Sequence, residues 1–272
     1  MQRTGKDSLI VALDVPSIKE ALEAVEDLGD AVSFFKVGLQ LFMTGELPKL
    51  LFALRQKAVF VDLKVPGDIA NTISSVVDLC VATDVKFLTL SESMPVAAIG
   101  AAKAARDRHS STNPKFLTVP FLSSLDRNDL TTMYGTDDVN GFILQRAKAA
   151  LQAGCDGVVA SGQEIRLCRQ NFPNAIIVSP GIRPAGSSTD DHKRFTTPKE
   201  AILLGADYLV VGRPIMKGSS RRQRAKEIIE EMDQAIVERD KNRSSSSFDH
   251  SEHSARSGKR KLKASSSLVP VS

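Results

Sequence analysis

The stretch Ala58-Val59-Phe60-Val61-Asp62-Leu63-Lys64 is apolar at nearly every position until it ends on two charges. Successive side chains of a strand point to opposite faces, so Phe60, Asp62 and Lys64 share one face and Val59, Val61 and Leu63 the other. A strand apolar on both faces is buried on both, which is the mark of a parallel sheet covered by helices. Comparable runs occur at Ser8–Asp14, Val32–Gly38, Lys86–Ser91, Lys115–Phe121, Asp156–Ala160, Ala175–Ser179 and Asp207–Val211, making eight in all. Amphipathic stretches such as Ser17–Leu28, Pro95–Arg108 and Phe142–Ala153 lie between them, and Arg221–Arg239 follows the last. Eight strand–helix units predict an α/β fold of the closed (β/α)₈ TIM-barrel type. An open Rossmann-like sheet is the other architecture, but no GxGxxG turn opens any helix.

The chain has 272 residues, of which 42% are hydrophobic, so there is material for one large core. The net charge of +4 is unevenly placed. From Asp240 to Ser272 seven Lys/Arg face three Asp/Glu, and eleven of the 33 residues are Ser. The rest holds 29 basic and 29 acidic residues, so the body is no nucleic-acid-binding surface by composition. The sequence thus divides into a barrel domain over residues 1–239 and a basic, Ser-rich tail over 240–272. That tail has too little apolar content to join a core and is expected to be disordered. Its Lys259-Arg260-Lys261-Leu262-Lys263 cluster reads as a solvated segment before it reads as a contact for nucleic acid or an anionic surface. Cys80, Cys155 and Cys168 are odd in number and form no CxxC or Cys/His pattern, which predicts a reduced, cytoplasmic protein. There is no N-terminal apolar leader and no apolar run of 18 residues, so neither secretion nor membrane spanning is expected.

In such barrels the chemistry sits at the C-terminal ends of the strands. Strand three ends on Asp62 and Lys64, strand one on Asp14, and strand two carries Lys36. Charges facing a barrel interior are costly unless they pair or serve a site. A buried ion-pair network that only holds the barrel would account for one such pair. Four charges on three neighbouring strands point instead to a functional cluster.

Strand seven runs into Ser179-Pro180-Gly181-Ile182-Arg183-Pro184-Ala185-Gly186, and strand eight into Val211-Gly212-Arg213-Pro214. Glycines let backbone N–H groups approach an anion, and Arg adds a bidentate grip. The loops after strands seven and eight are the usual phosphate site of these barrels. Strand five leads into Leu122-Ser123-Ser124-Leu125 and strand six into Ser161-Gly162-Gln163-Glu164. These polar groups suit a heterocycle and suit turns or helix caps equally well. The four histidines, His109, His192, His250 and His253, offer neither a triad nor a metal-ligand spacing.

These blocks resemble the orotidine 5′-monophosphate decarboxylase family from about Leu9 to Ile215. The likeness is carried by Ala12-Leu13-Asp14-Val15-Pro16, Phe35-Lys36-Val37-Gly38, Asp62-Leu63-Lys64, Asp68-Ile69 with Asn71-Thr72, Ser179–Pro184, and Gly205–Tyr208 through Gly212–Ile215. The resemblance implies a cofactor-free and metal-free decarboxylase of OMP, working as a homodimer. It places Lys36, Asp62, Lys64 and Asp68 in an alternating charge array beside C6 of the substrate, with Asp68 reaching the partner's site. Asp14 would bind ribose, with Thr72 contributing from across the dimer. Ser124 would read the pyrimidine edge. Pro180, Gly181, Arg183, Gly212 and Arg213 would hold phosphate. Three residues, Val65-Pro66-Gly67, separate Lys64 from Asp68, where the family usually has two. Ser91-Glu92 stands where His-Ala is usual, and Pro120-Phe121 where Thr-Val is usual. In the phosphate loop, Ala185 or His192 occupies the place of a common Gln. A sugar-phosphate decarboxylase or lyase on the same barrel, and a non-catalytic phosphate-ligand-binding relative, are the alternatives.

Overall fold

The structure, a computed structural model, describes residues 3–67, 69–184, 196–218 and 220–262. Asp68, Ala185 and His192 therefore lie outside the described residues, as does the tail from 263 on. Among the described residues, eight parallel strands close into a barrel in chain order. They are β1 (Leu9–Ala12), β2 (Phe34–Gly38), β3 (Ala58–Val65), β4 (Phe87–Leu90), β5 (Lys115–Thr118), β6 (Gly157–Val159), β7 (Ile176–Ser179) and β8 (Tyr208–Val211). Each falls within or beside one of the apolar runs. Most are a residue or two shorter than the run. β3 alone reaches further, to Val65.

The helices are α1 (Gly5–Ser8), α2 (Ile18–Leu28), α3 (Leu39–Phe42), α4 (Leu47–Ala53), α5 (Ala70–Ala82), α6 (Val96–Arg108), α7 (Arg127–Tyr134), α8 (Val139–Ala153), α9 (Glu164–Asn171), α10 (Pro198–Leu204), α11 (Arg213–Met216) and α12 (Arg221–Leu262). Local chemistry sets several starts. The Ser17 hydroxyl accepts from the Glu20 N–H to cap α2, and Thr197 and Glu200 form a capping box on α10.

Strand alternation sorts the core into two layers. Leu9, Val11, Leu13, Phe35, Val37, Val59 and Val61 face outward and pack with the helices. Ile10, Phe34, Phe60, Phe87, Leu117 and Val178 fill the barrel interior. Phe87 is the hub of that inner layer, with ring centroids 5.2 Å from Phe34 and 4.9 Å from Tyr208. This plug separates the N-terminal end of the barrel from the space at the strands' C-terminal ends.

α12 continues past Arg239, where the sequence places the end of the barrel domain. No Pro interrupts residues 221–262, so nothing in that stretch forces the helix to stop. Over residues 221–242 Ile236 is the last buried apolar residue, and the sequence beyond is poor in apolar side chains. Removal of residues 240–272 is therefore expected to shift the melting temperature by less than about 2 °C and to leave activity unchanged. Thermal unfolding of the truncated chain checks this, and a drop of several degrees would mean that the tail docks.

Candidate active site

The C-terminal mouth of the barrel holds a cavity of about 500 Å³. Inward apolar side chains of the strands, among them Phe60, Val159, Val178 and Val210, line it together with polar groups from the ends of every strand but β4. Asp14, Lys36, Asp62, Lys64, Pro180, Gly181, Arg183, Gly212 and Arg213 all border this one space.

The charged groups from the first three strands form a continuous row. Lys36 Nζ lies 2.9 Å from Asp14 Oδ1 and 3.5 Å from Asp62 Oδ2. Lys64 Nζ lies 2.9 Å from Asp62 Oδ1. The middle of the row is the driest: side-chain exposure is 10% for Lys36 and 16% for Asp62, against 40% for Lys64 and 56% for Asp14. Burial on its own pushes the Asp62 carboxyl up. The Lys36 and Lys64 ammoniums, with hydrogen bonds from Lys64 and Thr89, outweigh it and hold the group below the usual carboxylate range. Asp62 is thus an anion fixed between two cations at neutral pH. Gly38 leaves room for the row, since a Cβ there would stand 3.3 Å from both Asp14 Oδ1 and Lys36 Nζ.

β3 is irregular where it carries this chemistry. Val61 pairs with Leu88 and Val65 with Leu90, so Asp62, Leu63 and Lys64 lie opposite the single residue Thr89. Lys64 takes the left-handed backbone conformation, φ 49°, which is costly for a residue with a Cβ. Bulges of this kind re-aim side chains beside active sites. The added length of Val65-Pro66-Gly67 follows directly. Gly67 packs against the start of α6, where a Cβ would fall 2.2 Å from Pro95 Cδ.

The opposite wall is basic. Arg183 is buried, Arg213 opens α11, and Lys217 and Arg221 join them around the cavity. Gly181 has φ 73°, a conformation glycine adopts freely, as the turn after β7 requires. Arg221 also forms an ion pair with Asp27.

The remaining predicted residues are placed differently. Leu122 and Ser123 line the cavity, whereas Ser124 is exposed and is not among the lining residues. Thr72 is exposed on α5, away from the cavity of its own chain. Ser161 lines the cavity, but its hydroxyl donates to Glu164 Oε2 at 3.2 Å. Glu92, in the atypical end of strand four, turns to the helices: its carboxylate accepts from Ser91 Oγ at 2.9 Å and from Tyr134 OH at 3.2 Å. Its carbonyl accepts from Arg146 at 3.2 Å. Thr89, Lys217 and Arg221 were not expected at the site. Thr89 sits inside an apolar run, and the two cations read as the approach to a helix.

Other chemistries find less support. The thiols of Cys80, Cys155 and Cys168 are buried and pushed up to about 12, chiefly by burial, so they are poor nucleophiles. Among the described residues no group of three His, Cys, Asp or Glu could hold a metal ion. No described helix is long and apolar enough to cross a membrane.

The sequence profile of the orotidine 5′-phosphate decarboxylase / HUMPS family matches residues 7–228. The chain belongs to this family. Orotidine 5′-phosphate decarboxylase of Rhodopseudomonas palustris is 42% identical over 234 residues, covering 85% of this chain and 96% of that protein. The enzyme of the same name from Methylococcus capsulatus is 43% identical over 223 residues, covering 80% and 89%. The crystal structure of orotidine 5′-phosphate decarboxylase from Lactobacillus acidophilus superposes with a TM-score of 0.70 at 29% identity, covering 83% of this chain and 98% of that one. Membership of the decarboxylase family thus agrees with a barrel whose mouth holds a Lys–Asp–Lys row and a basic wall.

Proposed function

We propose that this chain is an orotidine 5′-phosphate decarboxylase, converting OMP to UMP and CO₂ in de novo pyrimidine synthesis in the cytoplasm without a cofactor. The observation that carries this reading is the Lys36–Asp62–Lys64 row in the same cavity as Arg183, Gly212 and Arg213. A row of fixed charges suits a reaction that develops and then quenches negative charge on carbon, and a basic wall suits a phosphate.

In this mechanism the substrate carboxylate lies beside Asp62, whose anionic state disfavours it there. The bond from C6 to the carboxylate breaks, CO₂ leaves, and the electron pair remains on C6. The Lys64 ammonium stabilises that charge and gives C6 a proton; water then returns a proton to the amine. Lys36 holds Asp62 from its other oxygen, and Asp14 presents its second oxygen towards a ribose hydroxyl. Pro180, Gly181, Arg183, Gly212 and Arg213 hold the phosphate, whose binding energy is used at the transition state. Ser124 reads the pyrimidine edge, with Ser123 beside it on the cavity wall.

The direct test is incubation with OMP, with and without prior EDTA treatment, following the change in ultraviolet absorbance as UMP forms. Turnover that survives chelation and dialysis is expected. Activity regained only on adding a divalent metal would favour a sugar-phosphate lyase, and nucleotide binding with no turnover a non-catalytic relative.

Arg213→Ala is expected to lower kcat/KM for OMP by roughly 30-fold, about 2 kcal/mol, the low end of the range for losing one charged contact because Arg183 shares the load. Orotidine, which lacks the phosphate, is the control. Equal losses on orotidine and OMP would mean that Arg213 does not act through phosphate.

The same reading makes the protein a homodimer with Asp68 and Thr72 entering the partner's site. Exposed apolar side chains around α3–α5, including Leu39, Phe42, Ile69 and Leu79, support a covering partner on this side of the barrel. Mixing two inactive variants, Lys64→Ala and Asp68→Ala, is expected to restore roughly one quarter of wild-type activity per site. Half of the randomly paired dimers then have one intact site. No recovery despite confirmed subunit exchange would mean that Asp68 acts within its own chain or only as a cap.

A further inference from the structure

Thr89 is fully buried in β4, inside the run Phe87–Leu90. It is the single β4 residue that faces the three-residue bulge Asp62–Leu63–Lys64. The bulge interrupts the β3–β4 register beside the Lys64 N–H. The Thr89 hydroxyl oxygen accepts that N–H at 2.8 Å. The same hydroxyl donates to Asp62 Oδ1 at 3.0 Å. The direction of both bonds is fixed by the groups themselves. A backbone N–H can only donate and an ionised carboxylate can only accept, so the hydroxyl must accept from one and donate to the other.

The two ends of this bridge have different effects. One end secures a backbone in the left-handed region, φ 49° at Lys64, which must be held by its surroundings to persist. That backbone conformation aims the Lys64 side chain. The other end fixes Asp62 Oδ1, the oxygen that also receives Lys64 Nζ at 2.9 Å. One hydroxyl therefore ties the backbone of the cation to the carboxylate of its partner. Its neighbours Phe87, Leu88 and Leu90 are buried apolar residues that need no hydroxyl between them.

We propose that Thr89 is a positioning residue that sets the geometry of the Asp62–Lys64 pair for proton delivery. The proposal rests on the decarboxylase reading above. It predicts that Thr89 governs turnover and not substrate capture, because its partners are the two groups at the reacting carbon and not the phosphate wall.

The test compares Thr89→Val, which keeps the shape and removes the hydroxyl, with Thr89→Ser, which keeps the hydroxyl. For Thr89→Val, kcat with OMP should fall about 10- to 100-fold, as expected for losing a hydrogen bond to a charged group. KM and the Kd for UMP should stay within about threefold of wild type, and Thr89→Ser should stay within about threefold in kcat. If Thr89→Val does not fold, Thr89→Ala takes its place with the same expectation. A wild-type kcat in the variant lacking the hydroxyl overturns the proposal, as does a Ser variant as slow as the Val variant. A second readout does not depend on turnover: titration of the ¹³C-labelled Asp62 carboxyl should show a higher pKa in Thr89→Val and an unchanged one in Thr89→Ser. If wild type fails to decarboxylate OMP, the reading of function fails, and the Asp62 titration alone decides whether Thr89 sets the pair. An Asp62 pKa indifferent to the hydroxyl overturns it.

Discussion

Replacing Lys64 with Ala is expected to remove decarboxylation by at least about 10³-fold while the protein remains folded, because one ammonium serves twice in the proposed reaction. It stabilises charge as C6 loses CO₂, and it is the donor that quenches the carbanion. A positioned general acid contributes about 10²–10⁴-fold, and a fixed electrostatic contact at developing charge a similar factor. The two share one side chain, so they are not summed. The fold should survive because Lys64 is 40% exposed in its side chain and packs in no core cluster. Asp62 keeps Lys36 at 3.5 Å and the Thr89 hydroxyl at 3.0 Å. The measurement is single-turnover conversion of OMP alongside thermal unfolding. A variant that still converts OMP near the wild-type rate would remove Lys64 from the mechanism, whatever its stability.

Why Lys64 could be singled out from sequence, and Thr89 could not, follows from how strands are read. Period-2 alternation put Phe60, Asp62 and Lys64 on one face, and all three line the cavity. The same logic placed Asp14 and Lys36 beside them, because adjacent parallel strands in register bring their ends together: Ala12 pairs with Lys36 and Gly38 with Asp62. Alternation assumes an uninterrupted ladder, however. The bulge opposite Thr89 and the left-handed turn at Lys64 are cross-strand events, and no local pattern in residues 58–65 announces them. Thr89 reads as one tolerated polar residue in an apolar run, since its partners lie 25 and 27 positions away in sequence. Lys217 and Arg221 were hidden for a different reason. They stand where a chain climbs from β8 into its final helix, and charges there are ordinary. The resemblance points to Ser124, while the hydroxyl lining the wall of this cavity belongs to its neighbour, Ser123. The eight strands themselves were legible because burial on both faces leaves an apolar run that little else in a soluble chain produces.

Asp62→Asn is expected to abolish turnover nearly as completely and, unlike Lys64→Ala, to cost stability. Asp62 is 16% exposed in its side chain and stands between two ammoniums. A neutral amide in its place leaves Lys36 facing Lys64 with no anion between them, although Asp14 still holds Lys36 at 2.9 Å. Breaking a buried ion pair by removing one partner costs a few kcal/mol; roughly 3 kcal/mol is expected at neutral pH, since the site is not wholly dry. The pH dependence has a definite sign. Burial pushes the folded Asp62 carboxyl up, but the two lysines and the Lys64 and Thr89 hydrogen bonds outweigh it and leave it lowered from the ordinary 3.8. As pH falls, the unfolded chain takes up its proton near that ordinary value while the folded chain stays ionised. The unfolded state then binds more protons, so the stabilisation from Asp62 is fully present above the ordinary value and drains away as pH drops through the lower, folded one. Asn carries no such titration. Chemical denaturation of wild type and Asp62→Asn from pH 7 down to pH 3 should therefore show a gap that is constant near neutrality and begins to close below about pH 4. A gap that stays level through pH 3 would mean that the folded carboxyl titrates with the unfolded one and is not held below the ordinary value. A gap that widens on acidification would mean that Asp62 is protonated more readily in the folded protein. The row would then not be the fixed anion between two cations on which the proposed chemistry depends.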